Sequence, residues 1–148
     1  MTADAWVQFD IFQTQLGAEG HNLNATDTIK MALIDSSWTP NTATDITFSV
    51  VDGDELGTAN GYTAGGATTV AGWTTSAGTT TFDVADVTWT ATDDGITARY
   101  ALLYNASAGG TNDLIAYCLL DNTPADVTAA AGVDFKVNIH ASGVLTLA

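Results

Sequence analysis

The sequence predicts a mainly all-β fold, an antiparallel β-sandwich or barrel-like module with a short N-terminal helix. Three observations favour this class: closely spaced runs rich in Thr, Val and aromatic residues, Gly-rich turns between them, and one amphipathic segment ahead of them. The length of 148 residues indicates a single domain. We divide it into an N-terminal helical segment, residues 1–17, and a β core, residues 27–148.

The segment Ala5–Leu16 carries two periodicities. Large apolar residues recur at helical spacing in one set (Trp6, Phe9, Phe12 and Leu16) and at strand spacing in another (Val7, Phe9 and Ile11). We predict a short helix, because a segment of this length is long for an isolated N-terminal strand. Asp4 is the candidate N-cap and Gly17 the natural end of this helix.

Alternating or apolar runs predict the strands of the β core. They are Thr28–Ile34, Ala67–Trp73, Thr79–Val84, Val87–Ala91, Ile96–Tyr104, Leu114–Leu120, Asp126–Ala131, Asp134–His140 and Val144–Leu147. The alternation in Ile96–Tyr104 indicates a strand covered on both faces. Thr28–Ile34 has a half-buried pattern, and Leu114–Leu120, apolar throughout, indicates a central buried strand.

Two connections between predicted strands have recognisable composition. Ala43–Leu56 is irregular or contains one short helical turn, which Asp45 could cap. Gly57–Gly66 holds four glycines, which indicates positive φ angles or close backbone approach. Tyr62, in the middle of that segment, indicates a folded connection anchored by its ring.

The charge balance is strongly acidic. The chain has 17 Asp and Glu residues against three basic ones, Lys30, Arg99 and Lys136, and its net charge is −14. We predict no binding to DNA or RNA, because phosphate neutralisation needs clustered Lys and Arg, and no attraction to an anionic membrane. Three interpretations of the acidity stay open: a basic partner surface, bound divalent cations, or solubility in a saline medium.

Reactive side chains do not form a recognisable catalytic pattern. Cys118 is the only cysteine, and its apolar neighbours predict a buried thiol. His21 and His140 lie far apart with no identifiable third metal ligand, and no serine stands in a nucleophile elbow. We therefore predict that the protein is not an enzyme, with no catalytic residues and no cofactor.

Clustered carboxylates are the candidate metal ligands of this sequence. Asp52, Asp54 and Glu55 are clustered oxygen donors, and Asp93 with Asp94 forms a second pair. Calcium takes about six to eight oxygen ligands, and neither spacing matches an EF-hand loop. Solvated turns explain these carboxylates more simply. We predict no metal site and keep Asp52, Asp54 and Glu55 as the candidates.

Aromatic residues near loops are the candidate contact residues. Trp and Tyr are enriched at protein interfaces, and Trp6 and Trp38 lie in or beside predicted loops. Phe9 and Phe12 are candidates because they belong to the N-terminal segment ahead of the β core. The N-terminal segment Met1–Phe12 is the candidate docking element. The alternative is that these aromatic side chains pack across the sheet.

Several blocks of this sequence, in this order, resemble a widespread group of small tailed-bacteriophage proteins encoded among virion structural genes. The blocks are Leu16-Gly17, Asp27–Asn41, Asp54–Gly66, Phe82–Ala91, Ile96–Asn105, Leu114–Asp121 and Phe135–Leu147. One departure is Glu55-Leu56-Gly57-Thr58, where the group usually has a Glu-Val-Ser-Gly-like sequence. The resemblance implies a virion component without catalysis and carries over no catalytic residues.

The resemblance leaves the place in the virion open. Our leading interpretation is a head decoration or cement protein on the outer capsid surface, with the major capsid protein as partner and a homotrimer as its own assembly. The alternatives are a tail fibre, tip or receptor-binding component, and a calcium-dependent adhesion module. The sequence shows neither a secretory signal nor an apolar run that could span a membrane, so we expect synthesis in the host cytoplasm.

Overall fold

The chain folds into strands joined by short connections. The computed structural model describes residues 3–18, 20–23, 26–107 and 112–147. Within these residues lie strands β1 (Val7–Gln8), β2 (Ile29–Ile34), β3 (Ala67–Thr69), β4 (Ala71–Ser76), β5 (Thr79–Val84), β6 (Val87–Thr90), β7 (Ile96–Ala98), β8 (Tyr100–Asn105), β9 (Asp113–Leu119), β10 (Val127–Ala129), β11 (Asp134–Val137) and β12 (Leu145–Leu147). Helix α1 spans Asp10–Gly17, and two 3-10 helices span Phe48–Val50 and Asp52–Asp54. The predicted class is confirmed: the protein is mainly β, with antiparallel sheets and one short helix.

A five-stranded antiparallel sheet forms the first layer. Its order is β1-β9-β8-β2-β3, with β8 in the centre. Leu102 of β8 pairs with Ala32 of β2 on one side and with Tyr117 of β9 on the other. The predicted buried strand over residues 114–120 is confirmed as β9, although β8 takes the central position.

The remaining strands form the second layer. They pair as β10–β7, as β11–β6 and as the three-stranded sheet β12-β5-β4, all antiparallel. Between the two layers lies the main core, which draws Phe12 from α1, Met31 from β2, Phe82 from β5, Trp89 from β6 and Phe135 from β11. Burial of this apolar surface is the dominant stabilising term of such a sandwich.

A second, smaller core covers the outer face of the five-stranded sheet. It contains Phe9, Ala32, Ile34, Trp38, Phe48, Val51, Leu102, Tyr104 and Leu114. The connection over residues 35–54 lies against this face. The half-buried pattern predicted for β2 is therefore wrong, since Ala32 and Ile34 are buried here while Met31 and Leu33 are buried on the other face.

One predicted strand changes layers at a single residue. The run Ile96–Tyr104 is divided at Arg99 into β7, which pairs in the second layer, and β8, which pairs in the first. Ala98 consequently faces the main core, and Tyr100 packs against the outer one. The Arg99 backbone joins both neighbours: its N–H donates to the Ile34 carbonyl over 2.9 Å, and its carbonyl accepts from the Leu120 N–H over 3.0 Å.

The N-terminal segment forms a short strand followed by a helix, so each of its two periodicities describes a different part of it. Residues 7–8 pair with β9, and the helix begins only at Asp10. The predicted cap at Asp4 is wrong: Phe9 is the N-cap residue, without a side-chain cap, and the Asp4 N–H donates to the Leu119 carbonyl over 2.9 Å. The predicted end at Gly17 is confirmed. Met1 and Thr2, part of the candidate docking segment, lie outside the described residues.

Candidate contact surfaces

Three of the four candidate contact aromatics are buried within this chain. Phe9 and Phe12 have no exposed surface, and Trp38 is 5% exposed. Phe9 and Trp38 pack with Tyr117, with ring centroids 5.4 to 5.5 Å from that of Tyr117. The prediction that these three side chains are contact anchors is therefore wrong, because tertiary packing covers them. Trp6 alone stays partly exposed.

The candidate metal residues do not converge. Asp52 is exposed, and Asp54 Oδ1 accepts a hydrogen bond from Ser37 Oγ over 2.8 Å. Glu55 turns the other way, into the glycine-rich segment. Over residues 3–18, 20–23, 26–107 and 112–147, no three His, Cys, Asp or Glu side chains are placed to hold a metal ion together.

Glu55 ties the glycine-rich segment to the sheet. Its Oε1 accepts from the Tyr62 hydroxyl over 2.6 Å and from the Gly65 N–H over 2.7 Å. The Tyr62 hydroxyl also accepts from the Leu33 N–H over 3.0 Å, and the Tyr104 hydroxyl donates to the Gly65 carbonyl over 2.7 Å. The predicted anchoring role of Tyr62, which is 3% exposed, is confirmed.

Burial dominates the electrostatics of this network. It raises the pKa of Glu55, although the hydrogen bonds from Tyr62 and Gly65 act in the opposite direction. It also raises the pKa of Tyr62, and it raises that of Tyr104 to about 12. These phenols stay protonated at neutral pH and serve as hydrogen-bond donors.

The two histidines occupy unrelated surroundings. His21 is half-buried against the Phe12 ring, with 5.4 Å between ring centroids, and burial lowers its pKa. Its Nδ1 lies 2.9 Å from Asn105 Nδ2. The exposed His140 accepts at Nδ1 from the Ser142 N–H over 3.1 Å. Within the described residues, the two imidazole rings share no partner that would make them one site.

The single thiol is held inside the sheet. Cys118 is 4% exposed, as its apolar neighbours predict, and its Sγ lies 3.2 Å from the Asp4 carbonyl oxygen. Burial raises the pKa of this thiol to about 11. At neutral pH the side chain is therefore the protonated, weakly nucleophilic form.

An open groove lies between the two layers at one side of the sandwich. We call it the edge groove. It encloses about 840 Å³ and is lined by Ala3, Asp4, Ala5, Trp6, Cys118, Leu120, Val127 and residues 135–144. Phe135, Val137 and Val144 are buried, while Trp6 and Ile139 are half-buried against the main core. The groove thus joins an apolar interior to a polar rim, the combination common in binding sites.

The few cations of the chain are engaged by its own carboxylates. Arg99 Nε lies 2.7 Å from Asp126 Oδ1, and Lys136 Nζ lies 3.1 Å from Asp86 Oδ2. The Ile139 N–H and Lys136 lower the pKa of Asp86 and hold it ionised. Lys30 is half-buried and lies near Glu55. Among the described residues, the carboxylates that are exposed and form no ion pair are Asp4, Asp10, Asp52, Asp83, Asp93, Asp94 and Asp134.

Comparison with protein-family models, with curated proteins and with solved structures finds no significant match to this chain. No helix in the described ranges is long and apolar enough to cross a membrane.

The edge groove was not predicted from the sequence. Its lining comes from parts of the chain that are far apart in the sequence, residues 3–6, 118, 120, 127 and 135–144, so no local pattern marks it.

Proposed function

We propose that this protein is a structural component of a tailed-phage virion, most specifically a head decoration or cement protein that binds the outer capsid surface and stabilises the shell. In this proposal the protein acts by contact with the major capsid protein and carries out no reaction. Its contact surface is the edge groove together with the acidic exterior around it.

The charge distribution is the observation that carries the proposal. A net charge of −14, with two of three basic side chains paired to Asp126 and Asp86, leaves an exterior suited to a basic protein surface. Such an exterior also keeps many copies from associating nonspecifically. The resemblance of the sequence blocks to phage virion proteins supplies the class of partner.

The non-catalytic part of the proposal has its own support. Among the described residues, the Cys118 thiol is protonated and buried, and His21 packs in the interior. His140 is bonded to its neighbour Ser142. Glu55, the carboxylate with a pKa raised by burial, serves a structural network. Perturbed groups in enzymes are normally grouped in one cleft, and these are not.

Electron microscopy of purified particles tests the proposal. Particles of the phage that encodes this sequence are labelled with an antibody against the protein. We expect regularly spaced label over the head. Label confined to the tail would favour the fibre, tip or receptor-binding alternative, and particles without label would overturn a virion role. Sedimentation of the isolated protein tests the proposed homotrimer independently.

A further inference from the structure

We propose that this protein pairs with a second copy of itself through β4 (Ala71–Ser76), whose open edge adds antiparallel to the same edge of the other copy. The inference goes beyond the proposed function, and the virion role neither requires it nor changes with it. Antiparallel pairing of a strand with its own copy requires a two-fold axis. This pair and the proposed homotrimer are therefore alternative states of the free protein, which a measured mass separates.

The strand β4 is the longest in the described ranges that pairs on one side only. It has six residues and ends the sheet β12-β5-β4, whereas β1 has two residues and β3, β7, β10 and β12 have three each. The strands β6 and β11 have four residues each. Natural edge strands are usually short, charged or interrupted by proline, and β4 has none of these features. Its edge is therefore open to a further strand.

Alternate residues of β4 direct their backbone groups away from β5. In an antiparallel ladder every second residue pair is hydrogen-bonded. The Ala85 N–H donates to the Val70 carbonyl over 2.8 Å, so the even-numbered residues of β4 bond to β5. The Phe82 carbonyl, opposite Trp73, instead accepts from the Val144 N–H over 2.8 Å. The β4 residues whose N–H and C=O groups face the open edge are Ala71, Trp73 and Thr75.

These outward groups are self-complementary. When a second copy lies antiparallel with Trp73 opposite its own counterpart, Ala71 of each copy lies opposite Thr75 of the other. Each such pair can form two hydrogen bonds, as in any antiparallel ladder. The half-buried Trp73 side chains then lie next to each other, on the face where Trp73 already packs with Phe82 at 6.2 Å between ring centroids. The sheet β12-β5-β4 thereby continues into its two-fold mate.

The distribution of charge favours a second copy at this edge. Residues 56–82, which include β3, β4 and most of β5, contain no Asp, Glu, Lys, Arg or His, although the net charge of the chain is −14. Two copies of so acidic a protein repel each other least where they meet along an uncharged segment. Val70, directly before β4, is 77% exposed, more than any other large apolar side chain of the described residues. Pairing along β4 therefore places no carboxylate in the contacting strands.

Sedimentation equilibrium of the protein is the first test. We expect the mass of one chain at about 1 μM and a rise toward two chains by about 1 mM, because contact along one strand is a small interface. Association should strengthen as NaCl rises from about 0.05 to 0.5 M, since screening weakens the repulsion between two acidic copies. A single-chain mass throughout, a three-chain mass, or weaker association in salt would overturn the inference.

A matched pair of substitutions locates the contact. Thr74→Asp adds a carboxylate to an exposed position of β4, and Thr88→Asp adds one to an exposed position of β6, so both variants have the same net charge. In the two-fold pair the carboxylates introduced into β4 lie diagonally across the contact, about 7 to 8 Å apart, where like charges repel. We expect Thr74→Asp to weaken association at least about tenfold and Thr88→Asp to leave it within about twofold. Equal effects in two variants that circular dichroism shows to be folded would overturn the inference.

Disulfide formation tests the register. Gly72 of one copy and Thr74 of the other form a pair without hydrogen bonds, whose Cα atoms lie about 4.5 Å apart in such a ladder, within the range that a disulfide spans. An added Cβ at Gly72 meets nothing within 4 Å. Under a mild oxidant, Gly72→Cys mixed with Thr74→Cys should form a cross-linked dimer much faster than Gly72→Cys mixed with Thr88→Cys. Cys118 is buried and takes no part. Equal rates in the two mixtures would contradict the proposed register.

These outcomes are separate from the virion role. Label over phage heads together with a protein that stays a single chain would retain the proposed function and reject the β4 contact. A dimer cross-linked between positions 72 and 74, together with phage particles that carry no label, would retain the β4 contact and reject the virion role.

Discussion

The hydroxyl of Tyr62 donates a 2.6 Å hydrogen bond to Oε1 of Glu55, seven residues earlier in the chain. The same hydroxyl accepts from the Leu33 N–H, so one side chain joins the glycine-rich segment to β2. Because Leu33 and Tyr62 are buried, loss of the hydroxyl leaves the Leu33 N–H without a partner that water can replace. The predictions begin with this network.

Tyr62→Phe removes the hydroxyl and leaves the Leu33 N–H and the Glu55 carboxylate without this partner. We expect the free energy of unfolding to fall by about 2 kcal/mol, measured by urea denaturation. Tyr100→Phe is the control, since the Tyr100 hydroxyl has no hydrogen bond within the described ranges, and it should cost less than about 0.5 kcal/mol. Equal losses in the two variants would contradict a specific role for Tyr62.

Glu55→Gln should change how stability depends on pH. Burial raises the pKa of Glu55 in the folded protein above its unfolded value. Its contribution to stability is therefore complete below the unfolded pKa and is lost as pH rises through the folded pKa. From about pH 4 to pH 7, urea denaturation should show the Gln variant gaining stability relative to wild type. A constant difference, or the opposite trend, would contradict burial as the dominant effect; Asp52→Asn, at an exposed carboxylate, is the control.

Gly66→Ala should be strongly destabilising. Gly66 has φ +66°, and an added Cβ would lie 2.1 Å from the Met31 carbonyl oxygen, beside the pairing of β2 with β3. We expect a loss of at least about 3 kcal/mol or failure to fold. Gly57→Ala, where a Cβ meets nothing within 4 Å, should change stability by less than about 0.5 kcal/mol. Thermal denaturation of both variants makes the comparison, and a well-folded Gly66 variant would contradict the close approach.

Salt should stabilise the protein without a calcium-specific effect. With a net charge of −14 and two ion pairs in the described part of the molecule, screening relieves self-repulsion. We expect the Tm to rise with NaCl, and to rise equally in CaCl₂ and MgCl₂ of the same ionic strength. A much larger rise with CaCl₂, reversed by a chelator, would instead favour the adhesion alternative and the Asp52, Asp54 and Glu55 site.

Much of the fold could be predicted because local pattern and burial agree. The strands predicted at Thr79–Val84 and Val87–Ala91 correspond to β5 and β6 within one residue. The interruptions at Val70 and Arg99 could not be found in this way. Alternation continues through both positions in the sequence, whereas the pairing partner changes in space. The two halves of each run pair with strands in different layers, and the alternation of residues does not indicate which layer a strand joins.

The candidate site was less predictable than the fold. The sequence predicts contact roles for Trp38, beside a loop, and for Phe9 and Phe12, in the N-terminal segment, yet tertiary contacts bury all three. The position of a residue in a connection does not determine its exposure, since the connection itself can cover a sheet face, as residues 35–54 do. Trp6 differs, because it lines the edge groove and is only half-buried there.

Co-sedimentation with particles assembled without this protein measures the central claim, binding by contact to a basic capsid surface, most directly. We expect wild-type protein to sediment with the heads in saturable amount, to dissociate as NaCl rises from about 0.05 to 0.5 M, and to bind less well as Asp4→Lys than as Asp52→Lys. Protein that stays in the supernatant at the lowest salt, while remaining folded, would contradict the account.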